Sequence, residues 1–114
     1  MPNLRGVGRE AEDQAADYLV GKGYTIVTRR HKTRRGELDI VALDGEILVF
    51  FEVKSRRTPG FLPEEAMSQS KVHDLGRAIE LYLHEMEIKP KIIRLDMIAI
   101  DQDGLRHHKD ILAP

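Results

Sequence analysis

Ala11, Ala15, Tyr18 and Leu19 recur at spacings of three and four, the period of one face of an α-helix. Gly23 after Lys22 supplies a stop, so the pattern predicts a helix over Arg9–Lys22. The period then drops to two. Tyr24–Arg29 alternates, is rich in β-branched residues and reads as a strand. Glu37–Leu43 and Ile47–Lys54 are two further strand-like runs, and they flank Asp44-Gly45, a strong hairpin signal. Thr58, Pro59, Gly60 and Pro63 mark a loop. A second helix is expected from Pro63 to Met86, with Leu75, Ile79, Tyr82, Leu83 and Met86 on one stripe. Lys91–Asp101 alternates into a fourth strand, and Asp103-Gly104 turns into a short last one over Leu105–Lys109. Helix, three strands, helix, two strands is the order of an α/β domain, with a mixed central β-sheet flanked by helices.

Composition narrows the picture. A chain of 114 residues is one domain, residues 1–114, and a hydrophobic fraction of 41% is enough for its core. The absence of cysteine excludes a disulfide scaffold, a thiolate metal site and a cysteine nucleophile. The longest aliphatic or aromatic run, Ile47–Phe51, is far short of the about 20 residues that span a bilayer. No membrane partner is expected. The first residues carry no apolar signal core, so the expected location is the cytoplasm. His107 and His108 are adjacent on a strand and point to opposite faces, which argues for solvent exposure rather than metal binding.

Polar residues break the apolar pattern at two places. Glu12 shares a helix face with Ala15, Ala16 and Leu19 and points toward the sheet. The bland account is a first-turn carboxylate favoured by the helix dipole. The second place is the hairpin. A two-residue turn at Asp44-Gly45 sets Leu43 against Glu46, Asp39 against Phe50 and Glu37 against Glu52. Glu37, Asp39, Glu52 and Lys54 then share one face, while Leu38, Ile40, Ala42, Val49, Phe51 and Val53 share the other. Asp39 and Glu52 lie diagonally, roughly 7–8 Å apart at Cα. A solvated outer face is the ordinary account of such alternation. Against it, Glu37 opposite Glu52 is a repulsive pair, and Val41 and Phe50 on the same face make it partly buried. Clustered carboxylates there call for a hard divalent cation. Asp39 and Glu52 would hold Mg²⁺ or Mn²⁺ with the Val53 carbonyl, Glu12 would be an outer ligand, and Lys54 would orient or deprotonate a water. The reaction class is metal-dependent phosphodiester hydrolysis.

These residues resemble a known family. Gly36-Glu37-Leu38-Asp39 with Val49–Arg56 is similar to the signature of the PD-(D/E)xK, restriction-endonuclease-like nuclease superfamily. More narrowly the chain resembles the YraN-like family of small bacterial proteins, themselves similar to archaeal Holliday-junction resolvases. Glu12–Ala16 with Tyr18-Leu19, Gly60 with Pro63, Glu65-Ala66, Lys71 and Arg94-Leu95-Asp96 extend the likeness over nearly the whole chain. The resemblance implies a single restriction-endonuclease-like domain, with Asp39, Glu52 and Lys54 as its catalytic core and Glu12 as a helical carboxylate. Leu38 stands where the superfamily has proline, Ala11 where glycine is usual before Glu12, and Arg30 where relatives often carry Asn.

Five of the seven residues Arg29–Arg35 are Lys or Arg. In a chain of net charge −1, this segment reads either as a solvated loop or as an arm tracking phosphates. Arg30, Lys32, Arg34 and Arg35, joined by Arg56 beyond the Glu-x-Lys and by Lys71 on the second helix, are the candidate nucleic-acid contacts. Lys71 on the inward stripe either meets the site or snorkels to the surface. The function expected is a Mg²⁺- or Mn²⁺-dependent endonuclease acting on structured, branched DNA. The alternative is a nucleic-acid-binding module that keeps the fold and cleaves little. A two-fold branched substrate would suit a homodimer.

Overall fold

The computed structural model describes residues 4–112. Helix α1 (Leu4–Gly21) leads into strands β1 (Thr25–Thr33), β2 (Gly36–Asp44) and β3 (Ile47–Ser55). A one-turn 3-10 helix at Pro63–Ala66 and helix α2 (Gln69–Glu85) follow, then β4 (Ile92–Asp101) and β5 (Gly104–His108). The strands form one sheet in the order β1-β2-β3-β4-β5. Neighbours are antiparallel except β3 and β4. That parallel pair needs a crossover connection, and α2 supplies it.

The two helices cover opposite faces of the sheet. On one face Ala11, Ala15 and Leu19 of α1 pack on Ile40, Ala42, Val49, Phe51, Ile98 and Ile100. On the other, Leu75, Ala78, Ile79 and Tyr82 of α2 pack on Val41, Leu48, Phe50 and Leu95. A sheet buried on both faces explains why Ile47–Phe51 is continuously apolar rather than alternating. Among the described residues no helix is long and apolar enough to cross a membrane.

Several boundaries move from their sequence expectation. Helix α1 begins at Leu4, not Arg9, because Gly6 and Gly8 silence the apolar period without stopping the helix. Strand β1 runs on through the basic segment to Thr33, so the arm is not a loop. It is an edge strand, where charged side chains are well tolerated. The expected helix Pro63–Met86 is two pieces. Ser68 separates them as the cap of α2, its Oγ accepting from the Lys71 N–H at 3.1 Å. Met86, expected on the inward stripe, is the C-cap residue and is exposed. Leu38 joins the α2-side cluster although Ile40 belongs to the α1 side. The β1–β2 ladder passes over Arg30 and Asp39, and Arg30 has φ +54°, so regular alternation is interrupted there.

The largest correction concerns His107. Its side chain is buried, not exposed: its ring lies against Tyr18, Tyr24 and Phe51. Nε2 is 2.8 Å from Asp96 Oδ2, and Nδ1 is 3.0 Å from the Tyr18 hydroxyl. His108 does face solvent, 2.9 Å from Glu64. Asp96 is fully buried and also accepts from Arg94 at 2.8 and 2.9 Å and from the Asp110 N–H at 2.9 Å. Burial alone would raise its pKa, but His107, Arg94 and the Asp110 N–H together hold it below the usual carboxylate value. Arg94 reaches on to Tyr24 and Asp44. This network ties β4, β5 and the start of β1 to the end of β2. Asp96→Asn removes the charge at nearly constant shape and leaves Arg94 under-paired in a buried setting. The expected cost is about 3–5 kcal/mol. A urea titration checks it, and a midpoint equal to the parent's would show the network is dispensable.

Candidate functional site

The β2–β3 hairpin decides which side chains meet. Asp44 pairs with Ile47, Leu43 with Leu48, Val41 with Phe50 and Ile40 with Phe51. The turn is therefore Gly45-Glu46, with Gly45 at φ +61°, the left-handed conformation that a tight hairpin needs. The expected register, Leu43 against Glu46, is off by two residues. A shift of two keeps the faces of a regular ladder, so Glu52 and Lys54 stay on one side, whereas Asp39 sits where the alternation breaks between Leu38 and Ile40. The shift also changes how Asp39 and Glu52 relate. Asp39 and Glu52 are each one step beyond the last pair, Ile40 and Phe51, rather than diagonal.

Beyond that pair β2 and β3 part, and the Asp39 side chain fills in for the missing ladder. Its Oδ2 accepts from the Val53 N–H at 2.8 Å. In an extended strand a residue's N–H and C=O point to the same edge. The Val53 carbonyl, a sequence-derived ligand candidate, is thus on the Asp39 side too. Because the strands part here, side chains from both helical layers can reach the gap. Glu12 comes from α1, with only 13% of its side chain exposed. It lies in the third turn of a helix that starts at Leu4, so the first-turn dipole account fails. One carboxylate oxygen from each of Glu12, Glu37 and Asp39 lies within 4.8 Å of the others. Glu37 had been placed on this face but given no role. The repulsive pairing of Glu37 with Glu52 expected from the sequence is not formed, because the ladder is shifted by two and ends at Ile40 and Phe51.

The electrostatics follow from crowding. Burial, then the Glu52 charge, pushes the Asp39 carboxyl up to about 8 against the opposing Val53 N–H, and Glu12 and Glu37 add to the rise. Glu52 is raised as well, by burial, although Lys71 and Lys54 offset part of this. The Lys71 ammonium is 3.6 Å from Glu52, with 44% of its side chain exposed. It meets the site while keeping contact with water, so both expectations hold in part. Glu52, Lys54 and Lys71, with Ala66, Met67 and Met97, line a cleft of about 220 Å³. The donor set is all oxygen, acidic and desolvated, which suits Mg²⁺ or Mn²⁺ far better than a soft metal.

The expected nucleic-acid contacts divide. Arg30 is drawn into the centre, its Nε 3.1 Å from Glu12 Oε1, and is not a free arm residue. Arg56 lies on the α1 side of the sheet end, beside Arg57 and Gln14 in a hollow of about 380 Å³, and its Nε is buried without a partner. Lys32, Arg34 and Arg35 lie at the far end of β1 and its turn, against α2. Geometry thus brings Glu12, Asp39, Glu52, Lys54 and Lys71 together and sets the basic arm apart.

Comparison with known proteins places this geometry in a family. Residues 11–100 match the model of the uncharacterised protein family UPF0102. The chain belongs to that family. The YraN-like resemblance is thereby borne out. A UPF0102 protein of Carboxydothermus hydrogenoformans is 41% identical over 115 residues, covering 96% of this chain and 98% of the relative. One of Persephonella marina is 38% identical over 104 residues, 90% of each chain. A third, of Chlorobium limicola, is 41% identical over 103 residues, covering 87% of this chain and 78% of its own. The match to UPF0102 runs from Ala11 to Ile100 and so contains Glu12, Glu37, Asp39, Glu52, Lys54 and Lys71.

The raised carboxyls make folding pH-dependent. The Asp39 carboxyl rises from 3.8 in the unfolded chain to about 8 in the fold, so between those values the native state holds the extra proton. Its contribution to stability is full below the unfolded value and is lost as pH rises through the folded one. Thermal melts in chelator should therefore fall from pH 5 to pH 9, and Asp39→Asn should flatten most of that decline. A parent melting temperature constant over this range would show that the carboxylates are not crowded in solution.

Proposed function

We propose that this UPF0102 protein hydrolyses phosphodiester bonds with the help of a divalent metal, and that its substrate is structured, branched DNA. The observation that carries the reading is the convergence of Glu12, Glu37 and Asp39 within 4.8 Å, beside Glu52 and Lys54. Asp39, Glu52 and the Val53 carbonyl would hold Mg²⁺ or Mn²⁺, with Glu12 and Glu37 as further oxygen donors. When bound, such an ion lowers the pKa of water and neutralises charge on a phosphate. The chain's own residues do the rest. The Val53 N–H fixes the orientation of Asp39. Lys54, exposed at the cleft beside Glu52, is placed to orient a water and to meet the charge that builds on the phosphate oxygens. Lys71, facing the same cleft, can exchange its Glu52 partner for a phosphate. The superfamily resemblance stated from the sequence agrees with this reading.

A second reading has a specific observation in its favour. Glu12 already holds Arg30 at 3.1 Å, and Glu52 holds Lys71 at 3.6 Å. Protein cations so placed would suit a module that binds nucleic acid and cleaves little. Incubating branched and linear DNA with Mg²⁺ or Mn²⁺ separates the two: cleavage supports the first, and salt-sensitive binding without cleavage supports the second.

Asp39→Asn isolates the metal's part. Without metal this variant should melt at or above the parent's temperature, since it relieves like-charge crowding. At 100 times its dissociation constant the metal should stabilise the parent by about 2.7 kcal/mol, and the variant should lose most of that gain. Cleavage should fall roughly 100-fold or more, with DNA affinity in calcium little changed. A variant that unfolds, from a parent that never responded to metal, would make Asp39 a structural carboxylate.

A further inference from the structure

The turn joining β1 to β2 and the outer face of α2 enclose a groove that the carboxylate centre does not use. It consists of two adjoining hollows, about 840 and 580 Å³, which share Arg34, Leu81 and His84. Arg35 and Arg77 line the larger and Lys32 the smaller. Two acidic residues are present, but both are engaged: Glu80 with Arg77 at 3.1 Å and Glu85 with His31 at 3.4 Å. Among the described residues Lys32, Arg34 and Arg35 have no carboxylate partner, and all three are exposed. The turn itself is fixed. Thr33 Oγ1 donates to the Gly36 carbonyl at 2.7 Å and accepts from the Arg35 N–H at 3.1 Å. Two guanidinium groups without a carboxylate partner on a braced turn, across an open groove from Arg77 and His84 of α2, complement an extended polyanion. Among the described residues no Phe, Tyr or Trp lines the groove to stack a base, so the contact is with backbone phosphates.

Helix α2 links this groove to the centre. Lys71 meets Glu52, and Arg77 and His84 lie six and thirteen residues further along, about 9 and 20 Å down the helix axis. At about 3.4 Å per nucleotide along one strand, that offset is about three to six nucleotides. We propose that the groove between the β1–β2 turn and α2 holds the phosphate backbone of a duplex DNA arm, about three to six nucleotides from the phosphate addressed by Asp39, Glu52 and Lys54. It rests on the nucleic-acid reading above and deepens it. Arg77 and His84, which carry no sequence signal, join Arg34 and Arg35 in one binding surface.

The test uses the full chain in calcium, so that binding is read without cleavage. Affinity for a duplex is measured by fluorescence anisotropy over a salt series, for the parent and for an Arg34→Ala/Arg77→Ala variant. Both positions are exposed, and thermal melts check that the variant is folded. The variant's plot of log affinity against log salt should be shallower by about two units, one for each lost phosphate contact. The parent's gain in affinity on lengthening the duplex by about six base pairs, the span derived above, should disappear with it. Lys89→Ala/Lys91→Ala removes two exposed charges just beyond α2 and should leave slope and length dependence as in the parent. An unchanged slope in the Arg34/Arg77 variant, or an equal change in the Lys89/Lys91 variant, would overturn the groove and leave the carboxylate centre standing. A parent that binds no duplex at any salt would instead overturn the nucleic-acid reading and this proposal with it.

Discussion

Four carboxylates held partly out of water, with too few cations among them, are the constraint on which the rest of this structure turns. Burial of Asp39 and Glu52 favours protonation or a counterion, and the carboxylates around them strengthen that demand. The protein meets it with a backbone donor and two borrowed cations. The Val53 N–H binds Asp39, Arg30 reaches Glu12, and Lys71 reaches Glu52. The centre exists because β2 and β3 part beyond Ile40 and Phe51. Had the ladder continued, the Val53 N–H would be occupied by the neighbouring strand and the Asp39 carboxylate would be free to turn to solvent.

Strain of this kind needs a stiff frame. Both faces of the sheet are covered, by α1 and by α2, so β3 is apolar on both sides until Glu52. A second polar cluster braces the sheet elsewhere. Asp96 is as deeply buried as any core side chain, yet every contact it makes is with a donor. The contrast with Asp39 is instructive. Burial acts on both, but Arg94, His107 and the Asp110 N–H hold the Asp96 carboxyl down, whereas neighbouring carboxylates push Asp39 up. The first arrangement is complete within the chain. The second is the one that calls for something from outside, which is why the proposed chemistry is placed there.

Charge on the surface is divided in the same way. Arg30 is spent on Glu12, while Arg34 and Arg35 project from a braced turn toward α2. One basic segment thus serves two purposes, set by its position along β1. A strand at the edge of a sheet can do this because each residue faces a different neighbour: the centre at Arg30, the α2 groove at Lys32 and Arg34.

The amino-acid sequence alone was enough for the order of elements, the mixed sheet and the shared face of Glu52 and Lys54. Those follow from short-range periodicity, and face sharing survives a two-residue slip in the turn because the strand period is two. Residue pairing across the hairpin did not follow. Asp44-Gly45 marks the turn without saying which of its residues is central, and cross-strand hydrogen bonds settled on Gly45-Glu46. The break at Ser68 was legible as a cap only once the helix had a start. Burial of His107 was not legible at all, since its partners Asp96 and Tyr18 lie 11 and 89 residues away. The same holds for Arg77 and His84 beside Arg34. Periodicity fixes which way a side chain faces; only tertiary packing decides what it finds there.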